Sequence, residues 1–272
     1  TMKKHLAIFI SIISSAVSFA QKDKIYKSFE EAFRNPSQVY HLKIVYKGLD
    51  SIPSDIYKLV NLEILELNNN DLIALPPELS LLHNLKELNL FRNKLAALPT
   101  NFGEFKKLDR CILSSNKLKQ LPPSIGKINT LKELSIKDNQ LTSLPDEICN
   151  LEKLEQLFLS YNDIKTLPDS IGKLTNLEQL YIGNNDLQSL PPSLSKLSNM
   201  KYFYLTLICL TIFLNLGAEI VNSYYPSGKI ESTGNMVNGK KQGEKSADGY
   251  DRYSSIARRH YYRHKDPKTL RL

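Results

Sequence analysis

The chain has 272 residues, no tryptophan, three cysteines and a formal net charge of +8. The charge is uneven: residues 1–21 carry +2, residues 222–272 carry 11 Lys/Arg against 5 Asp/Glu, and residues 22–221 hold 23 of each. A neutral body argues against nucleic acid as its partner, and an odd, unclustered cysteine set argues against a disulfide framework.

Residues 2–21, MKKHLAIFISIISSAVSFAQ, begin with two lysines, run apolar from Leu6 to Phe19, and place Ser18-Phe19-Ala20 as a small-x-small cleavage site. This predicts a secretory signal peptide over 1–20 and a mature chain starting at Gln21. The apolar run is short for a membrane span. Export to the periplasm, cell surface or extracellular space is therefore expected.

Residues 21–38 are expected to form an N-terminal capping helix. In KSFEEAFRNP, Ser28 and Glu31 make a capping-box pattern, Pro36 stands just past the end, and Phe29, Ala32 and Phe33 share one face.

From Val39 the chain repeats every 23 residues. LEILELNNNDLIALPPEL begins at Leu62, LKELNLFRNKLAALPTNF at Leu85, LDRCILSSNKLKQLPPSI at Leu108, and further copies at Leu131, Leu154 and Leu177. With VYHLKIVYKGLDSIPSDI from Val39 and a degraded MKYFYLTLICLTIFL from Met200, there are eight copies without an insertion. Within a copy, Leu134 and Ile136 alternate with polar residues as in a short strand. Asn139 comes where the chain must turn, with an amide able to satisfy backbone groups left unpaired by the bend. Asn70, Asn93, Asn116, Asn162 and Asn185 repeat it, which predicts a structural ladder. Leu144-Pro145 ends regular pairing, and Ile148, Leu151 and Leu154 return at a spacing suited to a 3₁₀ turn. The first copy departs from the pattern with Lys47 in place of asparagine.

Residues 39–200 resemble leucine-rich-repeat proteins of the 23-residue L-P-x-x-I class, which is common in bacteria and in intracellular eukaryotic proteins. Seven Leu/Ile-Pro pairs, ending at Pro53, Pro76, Pro99, Pro122, Pro145, Pro168 and Pro191, keep its register. The resemblance implies an α/β solenoid of eight repeats over 39–221, with a curved parallel sheet on the concave side and short helical or 3₁₀ turns on the convex side. It also implies binding of macromolecules on the concave face and no catalysis.

At the far end, Ile208 replaces the turn asparagine and residues 202–218 carry no charge. Met200, Phe203, Leu205, Leu210 and Phe213 keep the repeat register, which favours a final capping coil over a membrane span. Residues 222–244 carry Pro-Ser-Gly and Asn-Gly turn signals and predict a small hairpin; YYPSGKIESTGNMVNGKKQGE is similar to one copy of the bacterial MORN repeat. Residues 245–272 lose all periodicity and read as a basic, flexible tail.

Motifs for nucleotide binding, serine hydrolysis and zinc-dependent proteolysis are absent. His260 and His264 have no third ligand nearby in sequence, and Cys111 occupies a leucine position as a small buried hydrophobe. No catalytic residue, metal or cofactor is expected. Aromatic residues instead gather at positions expected on the concave face: Phe158, Tyr161, Tyr181, Tyr202 and Tyr204 in the last copies, and Phe91 with Arg92 nearer the start. Two outward rows are expected, one from Glu66 to Tyr204 and one from Asn68 to Thr206. Two roles compete for the aromatics: anchors for a partner, or stacking along the sheet. The expected function is non-enzymatic recognition of a protein, or of an envelope glycan, on the concave face. The alternative is a structural or adhesive surface protein whose basic tail contacts an anionic envelope surface. No nucleic-acid partner is expected.

Overall fold

The computed structural model describes residues 22–205 together with 229–230, 236–237 and 240–241. The expected signal peptide, the charge-free stretch beyond Leu205 and the tail lie outside the described residues.

Each repeat contributes one three-residue strand: β2 (His41–Lys43), β3 (Ile64–Glu66), β4 (Glu87–Asn89), β5 (Arg110–Ile112), β6 (Glu133–Ser135), β7 (Gln156–Phe158), β8 (Gln179–Tyr181) and β9 (Tyr202–Tyr204). All pair in parallel with their sequence neighbours, and equivalent residues sit side by side, as in Leu134↔Leu157↔Leu180↔Phe203. The period of 23 is thus one full circuit of the chain, and every leucine stacks on its counterpart. Leu65, Leu88, Leu134, Leu157 and Leu180 are wholly buried, as are Leu67, Leu90, Leu113, Ile136 and Leu159. Burying a leucine fully contributes about 1.5–3 kcal/mol, so the column of identical side chains supplies the core that no single coil possesses.

A ninth strand was not anticipated. Residues Ile25–Tyr26 form β1, which pairs in parallel with β2 and buries Tyr26. Two residues are too short to show a period, yet they satisfy backbone groups that the first repeat would otherwise present at an open edge. Helix α1 (Phe29–Arg34) follows; Ser28 accepts the Glu31 N–H at 3.1 Å, and the Glu31 carboxylate accepts from Lys27 N–H at 3.3 Å. The reciprocal arm of the capping box lands one residue earlier than the simple pattern. Ala32 is fully buried, and the stacked rings of Phe29 and Phe33 pack against the end of the core.

After each of β2–β8 the chain reverses through one left-handed residue: Tyr46, Asn69, Arg92, Ser115, Asp138, Tyr161 and Asn184 all have φ between 53° and 61°. The asparagine that follows binds across the coil boundary. Asn162 Nδ2 donates to Ile136 O of the preceding coil at 3.0 Å and to Leu159 O of its own at 2.8 Å, while its Oδ1 accepts Leu141 N–H at 3.0 Å.

The Leu-Pro step then leads into 3₁₀ turns on the convex side, for example Pro123–Lys127 and Asp146–Asn150. Coils approach so closely here that a Cβ on Gly126 would lie 2.1 Å from the Glu147 carbonyl oxygen. A second amide series closes this side: Asn61, Asn84, Asn176 and Asn199 each donate to a carbonyl 24 residues earlier, at 2.7–2.8 Å. Beyond the solenoid, Lys229–Ile230, Met236–Val237 and Lys240–Lys241 (β10–β12) form a three-stranded antiparallel sheet, one strand more than the expected hairpin.

Candidate functional site

The concave face is the polar side of β2–β9. Register places Glu66, Asn89, Ile112, Ser135, Phe158, Tyr181 and Tyr204 in one continuous row, as expected. The neighbouring row differs from expectation. Of its described residues, Ser114, Ser160 and Gly183 are buried, Asn68 and Phe91 are half-buried and Lys137 is exposed, as each strand ends after three residues and the chain curls toward its left-handed turn. The true second row lies on the other flank: His41, Ile64, Glu87, Arg110, Glu133, Gln156, Gln179 and Tyr202. Extending the alternation one residue before the second leucine of L-x-x-L-x-L would have revealed it.

Charge divides this face in two. On β2–β6, Glu66 accepts from Lys43 Nζ at 2.7 Å and lies 2.8 Å from His41 Nε2. The hydrogen bond to His41, with Lys43 beside it, holds the Glu66 carboxyl below its ordinary range despite burial. Arg110 sits between Glu87 at 3.4 Å and Glu133 at 3.0 Å. Burial pushes Glu133 upward, and Arg110 offsets this only in part. A shallow cavity of ≈ 170 Å³ lies over β3–β5, edged by Ile64, Glu66, Glu87, Asn89, Arg110 and Ile112.

On β7–β9 both rows are uncharged: Gln156 and Phe158, Gln179 and Tyr181, Tyr202 and Tyr204. The rings of Phe158 and Tyr181 stack with centroids 5.1 Å apart, and those of Tyr181 and Tyr204 stack at 6.0 Å. Tyr202 is 51% exposed beside them. Tyr161 is 53% exposed, but it occupies the left-handed turn at the margin of the sheet, with Lys137 Nζ 5.0 Å above its ring. Three of the sequence-predicted site residues, Phe158, Tyr181 and Tyr204, thus form one stacked row at this end, with Tyr202 on the same strand as Tyr204 and Tyr161 at the margin. Phe91, half-buried, and Arg92, exposed at its own left-handed turn, lie three coils away and do not join it.

Cys111 and Cys149 are buried and unpaired. Among the described residues, no group of three or more His, Cys, Asp or Glu side chains is arranged to hold a metal. Among those residues, too, no helix is long and apolar enough to cross a membrane.

The family model described as a leucine-rich repeat region matches residues 110–208. No curated protein matches the chain in sequence. Among solved structures, a leucine-rich-repeat protein of Leptospira interrogans is 34% identical with a TM-score of 0.50, over 66% of this chain and 58% of its own. A plant ice-binding protein is 28% identical with a TM-score of 0.53, over 66% of this chain and 60% of its own. The plant peptide hormone receptor RGFR1, in complex with RGF2, is 24% identical with a TM-score of 0.53, over 61% and 28%. The chain therefore spans less than two thirds of each of these proteins. A receptor and an ice-binding protein on one architecture show that the fold does not by itself fix the ligand. The period, the parallel sheet with its asparagine ladder, the matching family region and these neighbours together show that the fold is a leucine-rich-repeat solenoid.

Proposed function

We propose that the chain is an exported, non-enzymatic recognition module of a bacterial envelope or surface, and that it binds a protein through the C-terminal half of its concave face. The observation that carries this reading is the aromatic group Phe158, Tyr161, Tyr181, Tyr202 and Tyr204 at the uncharged end of the sheet. Rigid aromatic side chains bury much area at little entropic cost and are common interface anchors. The lack of catalytic and metal-binding motifs in the sequence supports a binding role.

The test is capture of a partner from envelope extract by residues 21–272, compared with a Phe158→Ser, Tyr181→Ser double variant. Binding is expected to fall at least tenfold, on the order of two lost interface anchors, while the circular dichroism spectrum and melting temperature hold. Undiminished binding moves the site elsewhere.

A second reading is favoured by the charge count of residues 222–272, where 11 basic against 5 acidic residues leave +6. In it the tail attaches to an anionic envelope surface and the solenoid is a spacer. Deleting residues 222–272 abolishes binding in that case, and binding weakens steeply with salt. Contact through the uncharged aromatic end is insensitive to both.

A further inference from the structure

The aromatic row has a head and a body. Tyr181 is flanked on both sides, by Phe158 at 5.1 Å and by Tyr204 at 6.0 Å, with interplanar angles of 24° and 27°. Centroids this close belong to rings that overlap face to face rather than lying edge to edge in one plane. Phe158 heads the row. Its other flank is turned to β6, where the residue in register is Ser135. A hydroxymethyl group is too small to cover a phenyl ring.

Ser135 is also held low, since its Oγ is 2.7 Å from the Oγ of Ser114. One strand further on, the same row carries Ile112. Ile112, Ser135 and Phe158 thus make wall, floor and wall. The two walls stand two strand spacings apart, ~9.6 Å between backbones. That separation admits one flat group in van der Waals contact, ~3.5–4.0 Å, with each wall.

The surroundings narrow the occupant further. Glu133, on the same strand as Ser135, is already bound by Arg110 at 3.0 Å, and Lys137 Nζ is drawn over the Tyr161 ring. The slot therefore favours a neutral group. A glycan crossing the face would stack from ring to ring, but the ring beyond Phe158 is flanked by rings on both faces. A polypeptide inserts one side chain and continues, with its backbone amides in reach of the Gln156 and Gln179 row.

We infer that this site grips an extended segment of a protein partner by one aromatic side chain, seated over Ser135 between Ile112 and Phe158. The inference rests on the concave-face reading proposed above, and its test separates the two.

Isotope-labelled mature chain is titrated with N-acetyl-phenylalaninamide, N-acetyl-leucinamide and an N-acetylglucosamine tetramer as probes. The phenylalanine amide is expected to shift the amide signals of Ser135 and Phe158, and to saturate at roughly two- to tenfold lower concentration than the leucine amide. Ser135→Tyr, which fills the slot with another ring and leaves Phe158, Tyr181 and Tyr204 in place, is expected to abolish the shift. Ile112→Ser, which removes a wall without filling the slot, weakens it severalfold. No shift at Ser135 and Phe158, an equal response to the leucine amide, or shifts that persist in both variants would overturn the slot. A stronger response to the tetramer would replace the peptide by a glycan. In partner capture, loss in the Phe158→Ser, Tyr181→Ser variant with full retention in Ser135→Tyr defeats the slot but keeps the concave site. Retention in both defeats both.

Discussion

Leu118 donates its backbone N–H to Oδ1 of Asn139 at 3.0 Å, although Asn139 belongs to the next coil. The same amide donates back to Leu113 O and to Ile136 O, each at 3.1 Å. Asn139→Ala therefore strands the Leu118 N–H at a coil boundary, at about 1–3 kcal/mol when left unpaired, while Leu113 O and Ile136 O each lose one of two donors and keep Asn116 and Asn162. An overall loss of about 1–3 kcal/mol is expected, seen as a lower urea midpoint. Gln140→Ala, next in the chain and exposed, is the control and should be neutral. Lys137→Ala is a poorer control because that ammonium lies over the Tyr161 ring. Equal midpoints for Asn139→Ala and Gln140→Ala would remove this account of the ladder.

Gly126→Ala places a methyl group 2.1 Å from the Glu147 carbonyl oxygen, a backbone atom with no rotamer to escape into. The coils must move apart locally, at about 1–3 kcal/mol or more. Lys127→Ala, one residue on and exposed, should leave stability unchanged. A Gly126→Ala variant as stable as the wild type would show that the convex contact yields freely.

Burial raises the thiol pKa of both Cys111 and Cys149, so neither forms thiolate readily in the folded protein. In a Cys209→Ser background, a thiol reagent at mildly alkaline pH is expected to label neither residue until denaturant is added. Rapid labelling of the native protein would contradict the packing described for either residue.

Glu66 has a folded pKa below its ordinary value of 4.5 through His41 and Lys43. A depressed carboxylate contributes stability above its unfolded pKa and loses it as pH falls through the folded value. Glu66→Gln should thus destabilise at neutral pH by about 1 kcal/mol or less, since the group is partly solvated. The gap between variant and wild type should close in acid. A gap independent of pH would assign the effect to packing.

Export can be checked directly. N-terminal sequencing of the secreted product is expected to begin at Gln21, and a secreted chain retaining Met2 would sink the cleavage prediction.

The repeat register was legible because a fixed period of 23 forces each residue to meet its own counterpart, so Leu134 had to lie beside Leu157. Shorter devices were not. Ile25–Tyr26 has no period to reveal it, and the left-handed turn is filled by Asn69 and Asp138 but also by Tyr46, Arg92 and Tyr161, so composition hides it. The convex amides Asn61, Asn84, Asn176 and Asn199 escaped notice because Lys107, Thr130 and Lys153 interrupt the series. At the site, the aromatic cluster could be read from the strand pattern. The open flank of Phe158 could not, since it depends on which way neighbouring rings lean.

The one oddity of the first repeat, Lys47, follows from the direction in which the ladder works. Asn70 accepts from Lys47 N–H at 3.0 Å and Leu49 N–H at 3.2 Å, and it donates to Ile44 O at 2.7 Å. Each amide serves the coil behind it, so the leading coil has no predecessor to serve and no use for an asparagine of its own. Closure is consequently directional, each coil's turn being completed by an amide of the coil that follows. A coil leaving a ribosome or a translocation channel stays unfinished until the amide 21–26 residues later arrives to close it. An internal deletion of one whole repeat preserves every closure, whereas a stop placed inside a repeat leaves the coil before it open.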